Sequence, residues 1–355
     1  MLARVLDLFA AQLDQGLHPG ASLTVRRQGR IVLEAAGGTA HPGEPEPEVD
    51  ADTLFLVFSA TKPLTAVAIQ ILVERGHIDL DAPVALYWPA FGAHGKDRVT
   101  IRHVLCHQGG FPTGPRWLTW EHWRTRTDVV RAMEERTLRW EPGTEVGYHA
   151  LNFGWVLGEL VHRVDGRSLG RFLRDEVAGP LGLENTWLGL PAREHERVAR
   201  LVDLSRTHDY ISDFNRPEVH ATACGAATGI MTPRDLSRFY AMLLAGGELD
   251  GVRILEKESA ARATALAVET ACDRTLQVPI RWGLGFRLGC DTSPFGRSCS
   301  RETFGHPGQG CTTGWGDPTR DLAVAYFTNG VQESKTNFLR MSRMSDTILA
   351  AAPPH

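Results

Sequence analysis

The residues best suited to nucleophilic chemistry are Ser59 and Lys62, in the segment FSATKPLTAVAIQ (58–70). A helical pattern runs from Ser59 to Arg75, with Val67, Ile71 and Leu72 on one apolar face and Gly76 as its stop, so Ser59 stands where the helix begins. Positions i and i+3 share a helix face, which lets the hydroxyl and the amine meet. A serine hydroxyl is a weak nucleophile until a neighbour takes its proton, and a lysine can do so only when neutral. Bringing a lysine from about 10.4 to near 7 needs roughly 4–5 kcal/mol of bias against the cation. Burial supplies shifts of that size, and a nearby cation adds to them. The helix start would also turn the Ser59 backbone N–H towards a developing oxyanion. Alone, S-x-x-K says little, because serine is a favoured N-cap and a first-turn lysine is ordinary.

Two further segments give the pair its company. WEPGTEVGYHALNFGWVLGELV (140–161) sets Tyr148 after a Pro-Gly turn and just before a helix, and FGHPGQG (304–310) sets a glycine-rich run near a late strand. The order S-x-x-K, then W-x-P-G-x-x-x-x-Y, then a glycine-bearing triad resembles the serine β-lactamase and penicillin-binding-protein superfamily, above all its class C-like branch, the β-lactamase-fold esterases. GHIDLDAPV (76–84), VTIRHVLCHQGGFP (99–112), GPLGLENT (179–186) and GIMTPRDLSRF (229–239) look like the linking phrases of that family, so the resemblance spans about 20 to 330.

The resemblance implies a role for each matching position. Ser59 would be the acylated nucleophile and Lys62 its proton-abstracting neighbour. Tyr148 would share the proton work and is the first choice for activating water. His306-Pro307-Gly308 would replace the family's K-T-G triad, with His306 and Gly308 facing substrate. The Gln309 N–H would complete an oxyanion hole with that of Ser59, each donor being worth about 2.7–4 kcal/mol. Two departures stand out. The branch carries Y-x-N, whereas this chain has Tyr148-His149-Ala150, and His306 replaces a lysine that helps hold a substrate carboxylate. Both changes remove handles for β-lactams and peptidoglycan stems and fit a carboxylesterase acting on a neutral acyl ester without metal or organic cofactor. The same-fold alternatives are a β-lactamase or D-amino-acid peptidase and an acyltransferase. An alternative of another class is a binding protein that has lost catalysis, against which all three polar residues argue.

Other constellations read as structure. Gly166-Arg167-Ser168-Leu169-Gly170 matches a nucleophile elbow, but helical spacing from Leu151 to Val164 precedes it where a strand is required. Ser168 is therefore expected to cap a helix over Leu169–Val177. His103 and His107, with Cys106 between them, lack the glutamate of a zinc helix and read as packing. Trp117, Trp120 and Trp123 are core or an aromatic substrate wall, with Trp117 taken as the candidate contact. His149 is a second candidate contact.

The elements that must position these residues follow from local patterns. A helix over Leu2–Leu13 precedes a hairpin, 21–26 and 31–35, turning at Gln28-Gly29. A polar Pro-rich loop covers 41–50. Helices are expected at Thr127–Glu135 and Leu151–Val164, strands at 281–288, around 310–315 and at 322–327, and a closing helix at Glu333–Ala351. Strands at both ends of the chain around a helical middle predict an α/β (α+β) fold, one antiparallel sheet flanked by helices plus a mainly helical lobe; the family resemblance implies that this is β-lactamase/transpeptidase-like. The α/β lobe would join 1–80 to 220–355, the helical lobe would be 81–219, and the site would lie in the cleft between them. The 355 residues, 43% hydrophobic and 23% charged with net charge −4, exclude disordered and fibrous classes and give no sign of a nucleic-acid partner. No apolar run is long enough to span a membrane. The acids Asp7 and Asp14 argue against a secretory leader. Six scattered cysteines read as reduced thiols of a cytoplasmic protein. The partner implied is a small ester or related acyl substrate; nothing in the pattern marks an oligomeric state.

Overall fold

The structure, a computed structural model, describes residues 2–43, 48–207 and 209–354. Part of the expected polar loop, 44–47, lies outside the described residues. Helix α1 (Leu2–Asp14) turns Val5, Phe9 and Gln12 inward. Strands β1 (Gly20–Arg27) and β2 (Arg30–Gly38) form the expected hairpin. Its turn residues Gln28 and Gly29 both take positive φ, 52° and 73°, as a two-residue turn that follows strand twist requires.

Helices α2 (Lys62–Glu74), α3 (Arg126–Glu134), α4 (Asn152–Asp165) and α5 (Leu169–Leu173) occupy the middle of the chain, followed by α6 (Pro233–Leu244). The last third supplies β3 (Val268–Thr270), β4 (Ile280–Trp282), β5 (Arg287–Leu288), β6 (Phe304–Gly308), β7 (Thr312–Asp317), β8 (Leu322–Thr328) and the closing helix α7 (Ser334–Ala351). An eight-stranded sheet runs β2-β1-β8-β7-β6-β5-β4-β3, antiparallel throughout. The two ends of the chain thus lie side by side, with Ala21 opposite Thr328 and Arg27 opposite Leu322.

Strand β8, third in that order, is buried on both faces. On one side Leu322, Val324 and Tyr326 pack with Val5 and Phe9 of α1 and Met341 and Ile348 of α7. On the other, Ala323, Ala325 and Phe327 belong to the larger core that includes Leu236, Phe239 and Tyr240 of α6 and the buried length of α2. Alternation with period two lets one strand serve both layers.

Two elements depart from expectation. The helix does not begin at Ser59. A 3₁₀ turn covers Phe58–Thr61 and the α-helix starts at Lys62, where Pro63 favours a first-turn position. The stretch 281–288 is not one strand but a tight hairpin, because Gly283 to Gly285 reverse the chain between β4 and β5. Gly285 has φ 84°, and a β-carbon there would lie 2.6 Å from that of Ala66.

Arg340 of α7 ties the closing helix to the sheet. It is 4% exposed and donates to the carbonyls of Leu17, Gly310 and Gly330, each at 2.7 Å, and to His18 Nδ1 at 3.0 Å. Burial, with Arg340 beside it, lowers His18 to about 3, so the ring stays neutral and can accept. Replacing Arg340 by Met would strand several buried acceptors. A loss of at least about 3 kcal/mol in folding stability is expected, read as a lower thermal midpoint. An unchanged midpoint would mean the carbonyls find other donors.

Candidate active site

Ser59 is held by the short turn that precedes α2. Phe58 adopts φ 47°, a left-handed conformation rare for a bulky side chain. The Val57 carbonyl accepts from Thr312 Oγ1 at 3.0 Å, and Thr61 Oγ1 donates to the Phe58 carbonyl at 2.6 Å. The turn is therefore fastened to β7 and to itself. Close approach of β6 also needs Gly308, since a β-carbon there would lie 2.0 Å from Thr312 Oγ1 and 2.3 Å from the Val57 carbonyl oxygen.

Lys62 leads α2 with its side chain 0% exposed. Its Nζ lies 2.8 Å from the Ala150 carbonyl, 3.1 Å from the Ala226 carbonyl and 3.0 Å from Ser59 Oγ. Burial lowers the amine to about 7. Carbonyls only accept, so a neutral amine spends its two N–H bonds on them and offers its lone pair to the Ser59 hydroxyl. On the other side of that oxygen, the Tyr148 hydroxyl donates to Ser59 Oγ at 2.6 Å. Burial pushes the phenol well above its ordinary range, so it remains a donor. The structure thus brings Ser59, Lys62 and Tyr148 to one point.

Tyr148 is fixed from behind. Its ring stacks on Trp282 at 5.8 Å with the planes 7° apart, and His107 lies at 4.8 Å. Its backbone N–H donates to Asp273 Oδ1 at 3.1 Å, and the same oxygen accepts from the N–H groups of Thr275 and Leu276. Asp273 has no local motif and was not legible in the sequence.

Two cavities flank Ser59, and Ser59 and Gln309 are the two residues common to both walls. Among the described residues, neither their N–H groups donate to a protein acceptor. The smaller cavity, about 220 Å³, is lined by Tyr148, Trp282, Arg287, His306 and Gly308. His306 Nδ1 donates to the Pro307 carbonyl at 2.7 Å, and burial with Lys62 nearby holds the ring well below 6.5, so it is neutral. Arg287 was also missed by sequence reasoning. It is 9% exposed, and its Nη2 donates to the Thr292 carbonyl at 2.5 Å, with no carboxylate in contact among the described residues. The larger cavity, about 420 Å³, is lined by Trp120, Trp123, Leu151, Tyr210, Phe214 and Val219, among others.

Other expected residues sit elsewhere. Trp117 is absent from both walls; it packs under the Arg131 guanidinium at 4.5 Å and beside His122, leaving the wall to Trp120 and Trp123. His149 points into the core, where Nδ1 donates to the Gly147 carbonyl at 2.6 Å and Nε2 accepts from the Phe111 N–H at 3.2 Å. Burial lowers it to about 3. Ser168 caps α5, accepting from the Arg171 N–H. His103 accepts from the Thr100 N–H in a capping box.

Comparison with known proteins places this geometry. The chain is 35% identical over 360 residues to Esterase/beta-lactamase LipL of Mycobacterium tuberculosis, a match covering 92% of this chain and 81% of that protein. A penicillin-binding protein homologue from Caulobacter crescentus superimposes with a TM-score of 0.89 at 30% identity, over 98% of this chain and 97% of that one. A family VIII carboxylesterase gives 0.84 at 31% identity, over 97% and 96%. The fold is β-lactamase/transpeptidase-like, and the Beta-lactamase family model matches residues 5–344, so the chain belongs to the Beta-lactamase family.

Proposed function

We propose that this protein is a serine carboxylesterase working by double displacement. Ser59 passes its proton to neutral Lys62 as Oγ attacks the ester carbonyl. The oxyanion is held by the N–H groups of Ser59 and Gln309. Tyr148 gives its phenolic proton to the departing alkoxide and is reprotonated by Lys62, which leaves an acyl-enzyme and a free alcohol. Water then loses a proton to Lys62 and attacks the acyl carbon, and Ser59 Oγ leaves with that proton. Sequence reasoning favours Tyr148 for the water step; burial, which raises the phenol and lowers the amine, favours Lys62. The observation that carries the proposal is the Ser59 oxygen lying 3.0 Å from an amine lowered to about 7 and 2.6 Å from a protonated phenol.

Kinship supports the ester as substrate, since relatives are described as an esterase/beta-lactamase and a family VIII carboxylesterase. The two-lobed division belongs to the same proposal: 1–80 with 220–355 would supply Ser59, Lys62 and Gln309, and 81–219 would supply Tyr148. A cytoplasmic location is likewise proposed, on six free cysteines. No helix among the described residues is long and apolar enough to cross a membrane.

The β-lactamase or D-peptidase alternative has one observation in its favour. Arg287 stands in the small cavity, where a substrate carboxylate would pair its guanidinium. It offers what the missing lysine at position 306 would have supplied.

Ser59→Ala is expected to abolish hydrolysis of p-nitrophenyl acetate with the circular dichroism unchanged, while Ser168→Ala keeps full activity; the reverse result would transfer the nucleophile to Ser168. Because Lys62 works as the neutral amine, kcat/KM should fall tenfold per pH unit below about 7 and level off above it. A flat profile through that range would remove Lys62 as the base. Arg287→Ala should lower kcat/KM about ten- to hundredfold for substrates with a carboxylate beside the scissile bond, and little for neutral esters. Equal losses on both would assign Arg287 to structure alone.

A further inference from the structure

The two cavities are chemically unlike, and the proton path assigns their contents. Tyr148, the donor to the leaving oxygen, lines the small cavity and not the large one. The alcohol therefore faces the small cavity, and the acyl group falls into the large one. That space of about 420 Å³ is far more than an acetyl group fills, and Trp120, Trp123, Leu151, Phe214 and Val219 give it an apolar wall.

Apart from Leu151, these wall residues come from two short segments, the single turn Trp120–Trp123 and the stretch Asp209–His220. They brace each other. Trp123 meets Phe214 edge-on at 5.8 Å, and the Arg216 guanidinium lies 4.4 Å over the Trp120 ring. Phe214 also reaches the nucleophile's turn, its ring lying 4.8 Å from that of Phe58. Phe58 holds the left-handed backbone that presents Ser59, a conformation that persists only where its surroundings enforce it.

We propose, on the basis of the esterase reading above, that the substrates are esters with a bulky apolar acyl group, medium-chain or aryl. We further propose that Phe214 both selects that group and, through Phe58, keeps Ser59 in position. An acyl group in the large cavity packs on the Phe58–Phe214 pair and tightens the turn as it binds. Specificity and nucleophile placement thus share one contact.

The test is kcat and kcat/KM for p-nitrophenyl acetate, hexanoate and benzoate, per active site titrated with a fluorophosphonate and located by peptide mass spectrometry. The wild type should prefer hexanoate to acetate by at least about tenfold. Phe214→Ala should erase most of that preference and lower kcat on acetate as well. In a Phe58→Gly background, Phe214→Ala should no longer lower kcat on acetate, because glycine takes positive φ without a supporting ring. Phe214→Leu, which shortens the wall without emptying it, should give the same ranking with a smaller loss if the alanine variant fails to fold. A wild type that prefers acetate, or a Phe214→Ala loss of equal size in both backgrounds, overturns the inference while leaving the esterase reading intact. Absence of any Ser59 adduct in the wild type would overturn that reading, and the inference with it.

Discussion

The site rests on the cost of burying one amine. Away from water, the Lys62 ammonium would need three acceptors, yet the protein supplies two carbonyls and a hydroxyl, the last of which can donate as well as accept. This set satisfies the neutral amine as fully as the cation, and burial tips the balance towards the neutral form. The surrounding structure serves that balance. Helix α2 is buried along most of its length, the 148–151 segment delivers one carbonyl, and the 224–228 turn delivers another. Three neutral imidazoles, those of His107, His149 and His306, complete the surroundings without adding a positive charge.

Much of this was legible in the sequence, for a physical reason. Ser59 and Lys62 are related by one turn of chain, and Tyr148 and the 304–310 run each lie in segments whose glycines and prolines constrain the backbone locally. The hairpin, the terminal helices and the pairing of the two chain ends also follow from periodicity. Arg287 and Asp273 were illegible because their importance lies in their surroundings: a guanidinium with no carboxylate in contact among the described residues, and a carboxylate that serves backbone N–H groups. Such facts exist only after packing. Trp117 was grouped with Trp120 and Trp123 as a candidate wall, but the helix at that point is a single turn beginning at Trp120, which leaves Trp117 outside it. His149 was drawn towards the site by its neighbour, but adjacent residues in an irregular segment need not face the same way.

The departures from the family pattern have a common sense. Ala150 stands where the branch carries asparagine, and it is its backbone carbonyl that faces Lys62. The histidine at 306 is neutral and stacks against Trp282, with ring centroids 5.7 Å apart. The positive charge lost there is present instead one strand away, at Arg287 on β5, below the same cavity. The small cavity thus carries a guanidinium, that of Arg287, while the wall of the large one is mainly apolar.

One feature of the sheet bears on how the molecule is made. Within the eight-stranded sheet, β1, the strand earliest in sequence, has β8, the latest in sequence, as its neighbour. During synthesis β1 must wait until residues Leu322–Thr328 have emerged before it acquires that partner. Loop closure over such a separation is slow, and it leaves two apolar edges open in the meantime. The turn at Gln309 is assembled in the same late event, so a nascent chain carries Ser59 and Lys62 long before it carries the N–H group proposed to complete the oxyanion hole.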